Sequence, residues 1–174
     1  MTMYKSETCC FTGHRPQKLA WGYDEQDERC KQLKRILRSQ IEQMITSGIR
    51  TFISGMALGT DIWAAEIVLE LKSSYPNVRL IAAIPHEGQE LRWSEGYKKR
   101  YADIRDAAND EIVLHEHYTK SCMHERNRWM VDRSACLIAV FNGENGGTKG
   151  TIEYARRKGL NVVLINPDDF KSEN

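Results

Sequence analysis

At 174 residues the chain can build one domain around a buried core and is too short for two ordinary ones. Hydrophobic residues make up 41% of it, yet no apolar run approaches the roughly 18 residues of a membrane helix and no apolar leader follows Met1, so a cytoplasmic protein is expected. Twenty-five basic residues against 24 acidic ones give a net charge of +1, which argues against a nucleic-acid or membrane partner held by a global field and leaves only local patches open.

The first strand-like run is 8–12, closed by Gly13. A helix is predicted over 26–47, where Leu33, Ile36, Leu37, Ile41, Met44 and Ile45 recur at helical spacing and Gly48 is the stop. A strand over 50–54, a glycine turn over 55–59 and a helix over 60–73 follow. A strand over 78–84 ends at Pro85, and a polar helical stretch over about 89–107 leads to a strand over 111–115. The chain closes with a helix over 123–134, a strand over 136–141, a loop over 142–147, a helix over 148–158 and a strand over 161–165.

Strands separated by helical crossovers run parallel, with right-handed connections and helices on both faces. The continuous apolar character of 80–84 and 137–141 agrees, since parallel strands are buried on both sides. The expected fold is therefore α/β: a Rossmann-like three-layer sandwich with a mostly parallel sheet of about six strands, as a single domain over 1–174. Five cysteines, an odd number with no Cys-x-x-Cys spacing, fit a reducing compartment, and Cys9, Cys10 and Cys136 read as buried thiols.

In such sheets a ligand binds beyond the carboxyl ends of the strands, where the strand order reverses. Gly13-His14-Arg15-Pro16 follows the first strand, and Arg15 suits a phosphate while His14 suits a phosphate or a ribose. Gly55-Met56-Ala57-Leu58-Gly59-Thr60-Asp61 opens a helix after the second strand, where close backbone approach and free N–H groups favour an anion. The plainer reading of that turn is structural, with Thr60 as N-cap and Asp61 set against the helix dipole. Gly146-Gly147-Thr148 repeats the arrangement later in the chain. Neither turn is a Gly-x-Gly-x-x-Gly fingerprint or a P-loop, which argues against a standard NAD-dependent dehydrogenase or an NTPase.

Three further groups have two readings each. Trp93, Tyr97, Tyr101 and Ile104 share a helical face, normally a core stripe, from which Trp93 is the ring placed to stack on a base. Asn127 lies on an apolar face between Met123 and Met130 and must be hydrogen-bonded if buried, either to the protein or to a ligand. His115, His117, Cys122 and His124 match no standard zinc spacing, and no metal site is expected.

Gly55-x-Ala57-x-Gly59-x-Asp61 with Ala64-Ala65 resembles the first signature of the DprA/Smf proteins, and Gly147-Thr148-x-x-Thr151-x-x-x-Ala155-x-x-x-Gly159 resembles their second. Together they identify the chain as similar to the SLOG (Smf/DprA–Lonely Guy) superfamily. Phe11-Thr12-Gly13-His14-Arg15-Pro16, Arg126-Asn127-x-Trp129-Met130-Val131-Asp132 and Gly146-Gly147-Thr148 resemble its YpsA-like branch, so the likeness runs over about 9–165.

The resemblance implies a nucleotide or nucleotide-derived ligand, ADP-ribose- or NAD-like, bound by a cytoplasmic sensor or regulator that requires no cofactor. The alternative it implies is hydrolysis of an N-glycosidic bond, with Asp61, Glu66 or Glu153 as the carboxylate. The Lonely Guy motif Pro-Gly-Gly-x-Gly-Thr-x-x-Glu is departed from here: Asn145 replaces the proline, one extra residue precedes Gly150-Thr151, and Glu153 follows two rather than three positions after the threonine. An adaptor acting through its surface and a DprA-type single-strand binder are the remaining alternatives, and homo-oligomerisation is left open.

Overall fold

The computed structural model describes residues 2–172. Six strands alternate with five α-helices: β1 (Thr8–Gly13), α1 (Glu28–Thr46), β2 (Thr51–Ser54), α2 (Thr60–Leu71), β3 (Arg79–Ile84), α3 (Glu95–Ala107), β4 (Asp110–Val113), α4 (Cys122–Asp132), β5 (Cys136–Val140), α5 (Gly147–Arg157) and β6 (Asn161–Ile165). All strand pairings are parallel, in the order β4-β3-β2-β1-β5-β6. The expected Rossmann-like architecture is thus present, with its sheet wholly parallel.

Alternation along the strands sorts the core into two layers. Cys9, Phe11, Phe52, Leu80 and Ile84 meet Leu33, Leu37 and Ile41 of α1, the apolar side of α2, and Tyr101 and Ile104 of α3. On the opposite face Cys10, Ile53, Ile81, Leu137 and Ala139 meet Met130 and Val131 of α4 and Ile152 and Ala155 of α5. Helix α2 is buried almost all round, from Thr60 to Leu71, which is why it reads as an apolar run with little amphipathic contrast.

The chain moves outward from β1 to β4 along one edge, then returns to place β5 on the other side of β1. The order therefore reverses between β1 and β5, and a crevice opens beyond their carboxyl ends.

Most element ends fall within two residues of the sequence reading. The exception is α3, which starts six residues later than the 89 expected. Gly88 turns the chain at φ +79, and Ser94 then caps the helix through a bond from the Tyr97 N–H at 3.4 Å. Polar helix-formers ahead of Ser94 look helical in sequence, but the cap sets the start.

Candidate functional site

The turn after β2 is wound under the end of β1. The Ser54 hydroxyl donates to the Asp61 carbonyl at 2.8 Å and accepts from the Met56 N–H at 3.2 Å. Met56 takes φ +60, a rare conformation for a side chain with a Cβ, and holds it against a fully buried surround. Gly59 sits at φ +87, and a Cβ there would lie 2.9 Å from the His14 carbonyl oxygen. Thr60 is already helical and is not the N-cap: its hydroxyl donates to the His14 carbonyl at 3.3 Å. Gly59 and Thr60 therefore lock α2 against β1, and this helix start faces protein.

The second glycine turn behaves differently. Helix α5 begins at Gly147 behind Gly146, with no side-chain cap, and both glycines are exposed. Its first N–H groups lack the partner a Ser or Asp cap would supply, and they open on the crevice beside Thr148. Lys18 reaches across from the loop after β1 and donates to the Asn145 carbonyl at 3.2 Å.

Between the two turns lies a buried pair of opposite charges. Arg126, inside α4, donates from Nη1 to the Gly55 carbonyl and from Nε to Asn127 Oδ1 at 2.9 Å. A Cβ on Gly55 would fall 2.6 Å from Arg126 Nη1 and 2.8 Å from Asp61 Oδ2. The glycine makes room for a guanidinium and a carboxylate to close on it. Asp61 Oδ2 accepts from the Ala57 N–H at 3.3 Å, while Oδ1 is buried with no hydrogen-bond partner among the described residues. Burial pushes the Asp61 carboxyl above its usual range, opposed by the Arg126 charge, and burial likewise lowers the Arg126 pKa.

The crevice is a cleft of ≈ 440 Å³ walled by Gly13, His14, Arg15, Lys18, Ala57, Asp61, Arg126, Asn127 and Gly146–Thr148. It joins a second lobe of ≈ 500 Å³ through the shared residues Arg15, Gln17, Ala57 and Met123. That lobe carries Tyr23, Arg92, Trp93 and Tyr97. Its aromatic wall is braced from behind: Trp93 meets Tyr101 edge-on at 5.3 Å, and the Tyr97 hydroxyl donates to Glu25 at 2.6 Å. The expected core stripe splits here, since Tyr101 and Ile104 are buried while Trp93 and Tyr97 are half-buried and line the lobe.

Of the residues singled out in the sequence, Gly13, His14, Arg15, Ala57, Asp61, Asn127, Gly146, Gly147 and Thr148 come together on the cleft, and Trp93 on the adjoining lobe. Gly55, Met56, Gly59 and Thr60 form the frame behind it, where backbone packing takes the place expected of ligand contact. Glu66 is held by Arg100 at 2.5 Å, away from the cleft. Glu153 is exposed on α5, in a small hollow next to the cleft. Asp61 alone of the three carboxylates reaches the floor.

Arg126, Lys18, Tyr23 and Arg92 were not anticipated as site residues. Arg126 had a signal, a charged residue beside Asn127 on an otherwise core-facing helix. His115 is bonded to Glu125, Cys122 is buried, and no group of three or more His, Cys, Asp or Glu among the described residues is placed to hold a metal. No helix among the described residues is long and apolar enough to cross a membrane.

Comparison with known proteins gives a consistent picture. The family model described as the YspA SLOG family (YpsA) matches residues 9–170. A UPF0398 protein of Bacillus pumilus (strain SAFR-032) is 29% identical over 170 residues, covering 93% of this chain and 89% of that one. The SPbeta prophage-derived protein YoqJ of Bacillus subtilis (strain 168) is 32% identical over 151 residues, covering 78% and 88%.

Among solved structures, DNA processing protein A (DprA) from Streptococcus pneumoniae matches with a TM-score of 0.61 at 21% identity, covering 92% of this chain and 50% of that one. DNA processing protein A from Helicobacter pylori, whose structure concerns a single-stranded DNA binding mode, matches at 0.59 and 18%, covering 92% and 65%. At these identities the likeness is one of fold, and this chain spans half to two thirds of those proteins.

Proposed function

The chain belongs to the YspA SLOG family, and on that premise we propose that its cleft binds a nucleotide-derived ligand, ADP-ribose- or NAD-like, as a cytoplasmic sensor or regulator. The observation that carries this reading is the two-lobed cleft at the β1/β5 reversal. One lobe presents an uncapped helix start with Arg15 and Lys18, which suits phosphate. The other presents Tyr23, Trp93 and Tyr97, which suits a stacked base. Asp61 lines the first lobe, where a carboxylate suits a ribose hydroxyl.

Calorimetry with AMP, ADP-ribose and NAD, and with ribose 5-phosphate and adenosine as half-ligands, tests the reading. The whole nucleotides should bind more tightly than either half, and Trp93→Ala should weaken AMP while sparing ribose 5-phosphate. Equal affinity of AMP and ribose 5-phosphate would remove the base lobe from the site, and no binding by any of them would end the proposal.

The second reading is N-glycosidic hydrolysis, favoured by one observation: a buried carboxylate with a raised pKa lining the cleft. Chromatography of AMP or NAD incubated with the protein decides it. Release of free base or nicotinamide, abolished by Asp61→Asn, would replace the binder with an enzyme; binding without turnover leaves the sensor.

A further inference from the structure

The near-zero net charge hides which arginines are paired. Arg29, Arg35, Arg38, Arg100 and Arg105 each have a carboxylate within 4.0 Å. Arg128 of α4 and Arg157 of α5 are among the other arginines, which have none within that distance among the described residues. Glu153 stands one helical turn before Arg157, the usual spacing for a pair, yet the two form no ion pair within 4.0 Å. Both guanidinium groups converge on one ring instead, lying 5.2 and 5.8 Å from the centre of Tyr154. Tyr154 is fixed in turn by its hydroxyl, which donates to Asp132 at 2.7 Å.

These residues border a hollow of ≈ 180 Å³ between α4 and α5. The hollow shares His124 and Asn127 with the main cleft, so the two are continuous. Of the carboxylates here, Asp132 at the ring hydroxyl is answered by Lys158 at 3.6 Å, so the two guanidinium groups over the fixed ring outweigh Glu153 and make a place for a dianion beside the proposed ligand. Guanidinium groups bind phosphate through paired N–H donors, which a lone ammonium cannot match.

We propose that this hollow is a second anion subsite, and that the ligand class is a nucleoside bisphosphate whose two phosphates are separated by the sugar. The inference rests on the nucleotide reading of the cleft: the first phosphate occupies the α5 helix start, and the second lies past Asn127 between Arg128 and Arg157. Adjacent phosphates, as in ADP, would both remain in the first lobe.

The test is calorimetry with AMP, ADP and adenosine 3′,5′-bisphosphate, on the wild type and on the double variant Arg128→Gln/Arg157→Gln. Both arginines are exposed, so the variant should fold and melt as the wild type does. The bisphosphate should bind at least about tenfold more tightly than AMP or ADP, as a charge-assisted phosphate contact predicts. The variant should lose that advantage while keeping its AMP affinity.

A bisphosphate no tighter than ADP, or an advantage that survives in the double variant, would overturn the subsite and leave the nucleotide reading standing. Failure of all three nucleotides to bind would overturn both. An eight-residue single-stranded oligonucleotide that binds far more tightly than the bisphosphate would overturn the small-molecule assignment in favour of a strand.

Discussion

His14 and Asn142 are bonded across the line where the strand order reverses: Nε2 of the imidazole lies 2.7 Å from the amide Oδ1. That oxygen also accepts from the Glu144 N–H at 3.0 Å, and the Asn142 backbone N–H lies 3.1 Å from the same Nε2, which donates to Oδ1 or accepts from this N–H according to its tautomer. The bond ties the loop after β1 to the loop after β5, and so sets the width of the cleft between them. It also places a neutral, nearly inaccessible imidazole in the cleft wall, at 3% exposure.

The first prediction follows from that burial. Burial holds the His14 pKa below its usual 6.5, against the bond to Asn142 and helped by the charge of Lys18. The unfolded chain takes up this proton more readily than the folded one. The stability contributed by a neutral His14 is therefore complete above 6.5 and is lost as the pH falls from 6.5 through the folded value. Melting curves between about pH 7.5 and 5.5 should show a larger fall in Tm for the wild type than for His14→Gln, which has nothing to titrate there. Equal falls would mean that His14 protonates freely in the folded state.

The second prediction concerns Arg126 and Asp61. They converge on the space a Gly55 Cβ would fill, and each is the main opposite charge acting on the other. Removing one leaves the other buried and uncompensated. Arg126→Met and Asp61→Asn should each cost about 3 kcal/mol, whereas the double variant should cost clearly less than their sum. Denaturant unfolding of the four proteins measures the coupling. Additive costs would show that water already screens the two groups in the cleft.

This pair also marks where sequence reasoning stops. The alternation of strands and helices, and the placing of His14 and Gly147 on the crevice, follow from local pattern and from the rule that ligands gather at strand ends. The role of Gly55-x-Ala57-x-Gly59 does not. In sequence it looks like an anion cradle equal to Gly146-Gly147, yet Gly55 makes room for Arg126 from a helix 71 residues later, and Gly59 for the backbone of His14. Only tertiary packing separates a glycine facing ligand from one facing protein. Charge is similar: a net value of +1 is silent about which arginines are paired and which converge unpaired on Tyr154.

The third prediction tests the brace behind the aromatic lobe. Glu25 sits in the loop after β1 and is gripped by Arg100 at 2.7 Å, Lys34 at 2.6 Å and the Tyr97 hydroxyl at 2.6 Å. Burial alone would push its carboxyl up, but these three donors overturn that and lower it to about 2. Its contribution is thus present above 4.5 and is lost as the pH falls from 4.5 towards 2. Glu25→Gln should destabilise the protein by about 2 kcal/mol near neutral pH, with the difference shrinking below about pH 4. A pH-independent difference would point to lost packing rather than lost charge. Because Tyr97 loses its anchor, the variant should also bind AMP more weakly than wild type while binding ribose 5-phosphate equally well.

The last prediction sets Gly147 against Gly59. A Cβ on Gly59 would meet the His14 carbonyl at 2.9 Å in a backbone at φ +87, so Gly59→Val should lower the melting temperature with or without ligand. Gly147 is different. The positive φ of its turn falls on Gly146, at +150, and not on Gly147. A Cβ on Gly147 would meet nothing within 4 Å. Gly147→Val should therefore leave the fold intact, costing no more than the ~0.5 kcal/mol of a β-branched residue in a first helical turn. What the branch does obstruct is the approach of an anion to the uncapped N–H groups at the start of α5. Losing two bonds to a charged ligand, at about 1.5–3 kcal/mol each, should weaken binding by roughly a hundredfold or more. Thermal melting of both variants with and without AMP separates the roles. If Gly147→Val keeps the full ligand-induced rise in Tm, the α5 start is a connector and the anion is held elsewhere in the cleft, by Arg15 and Lys18.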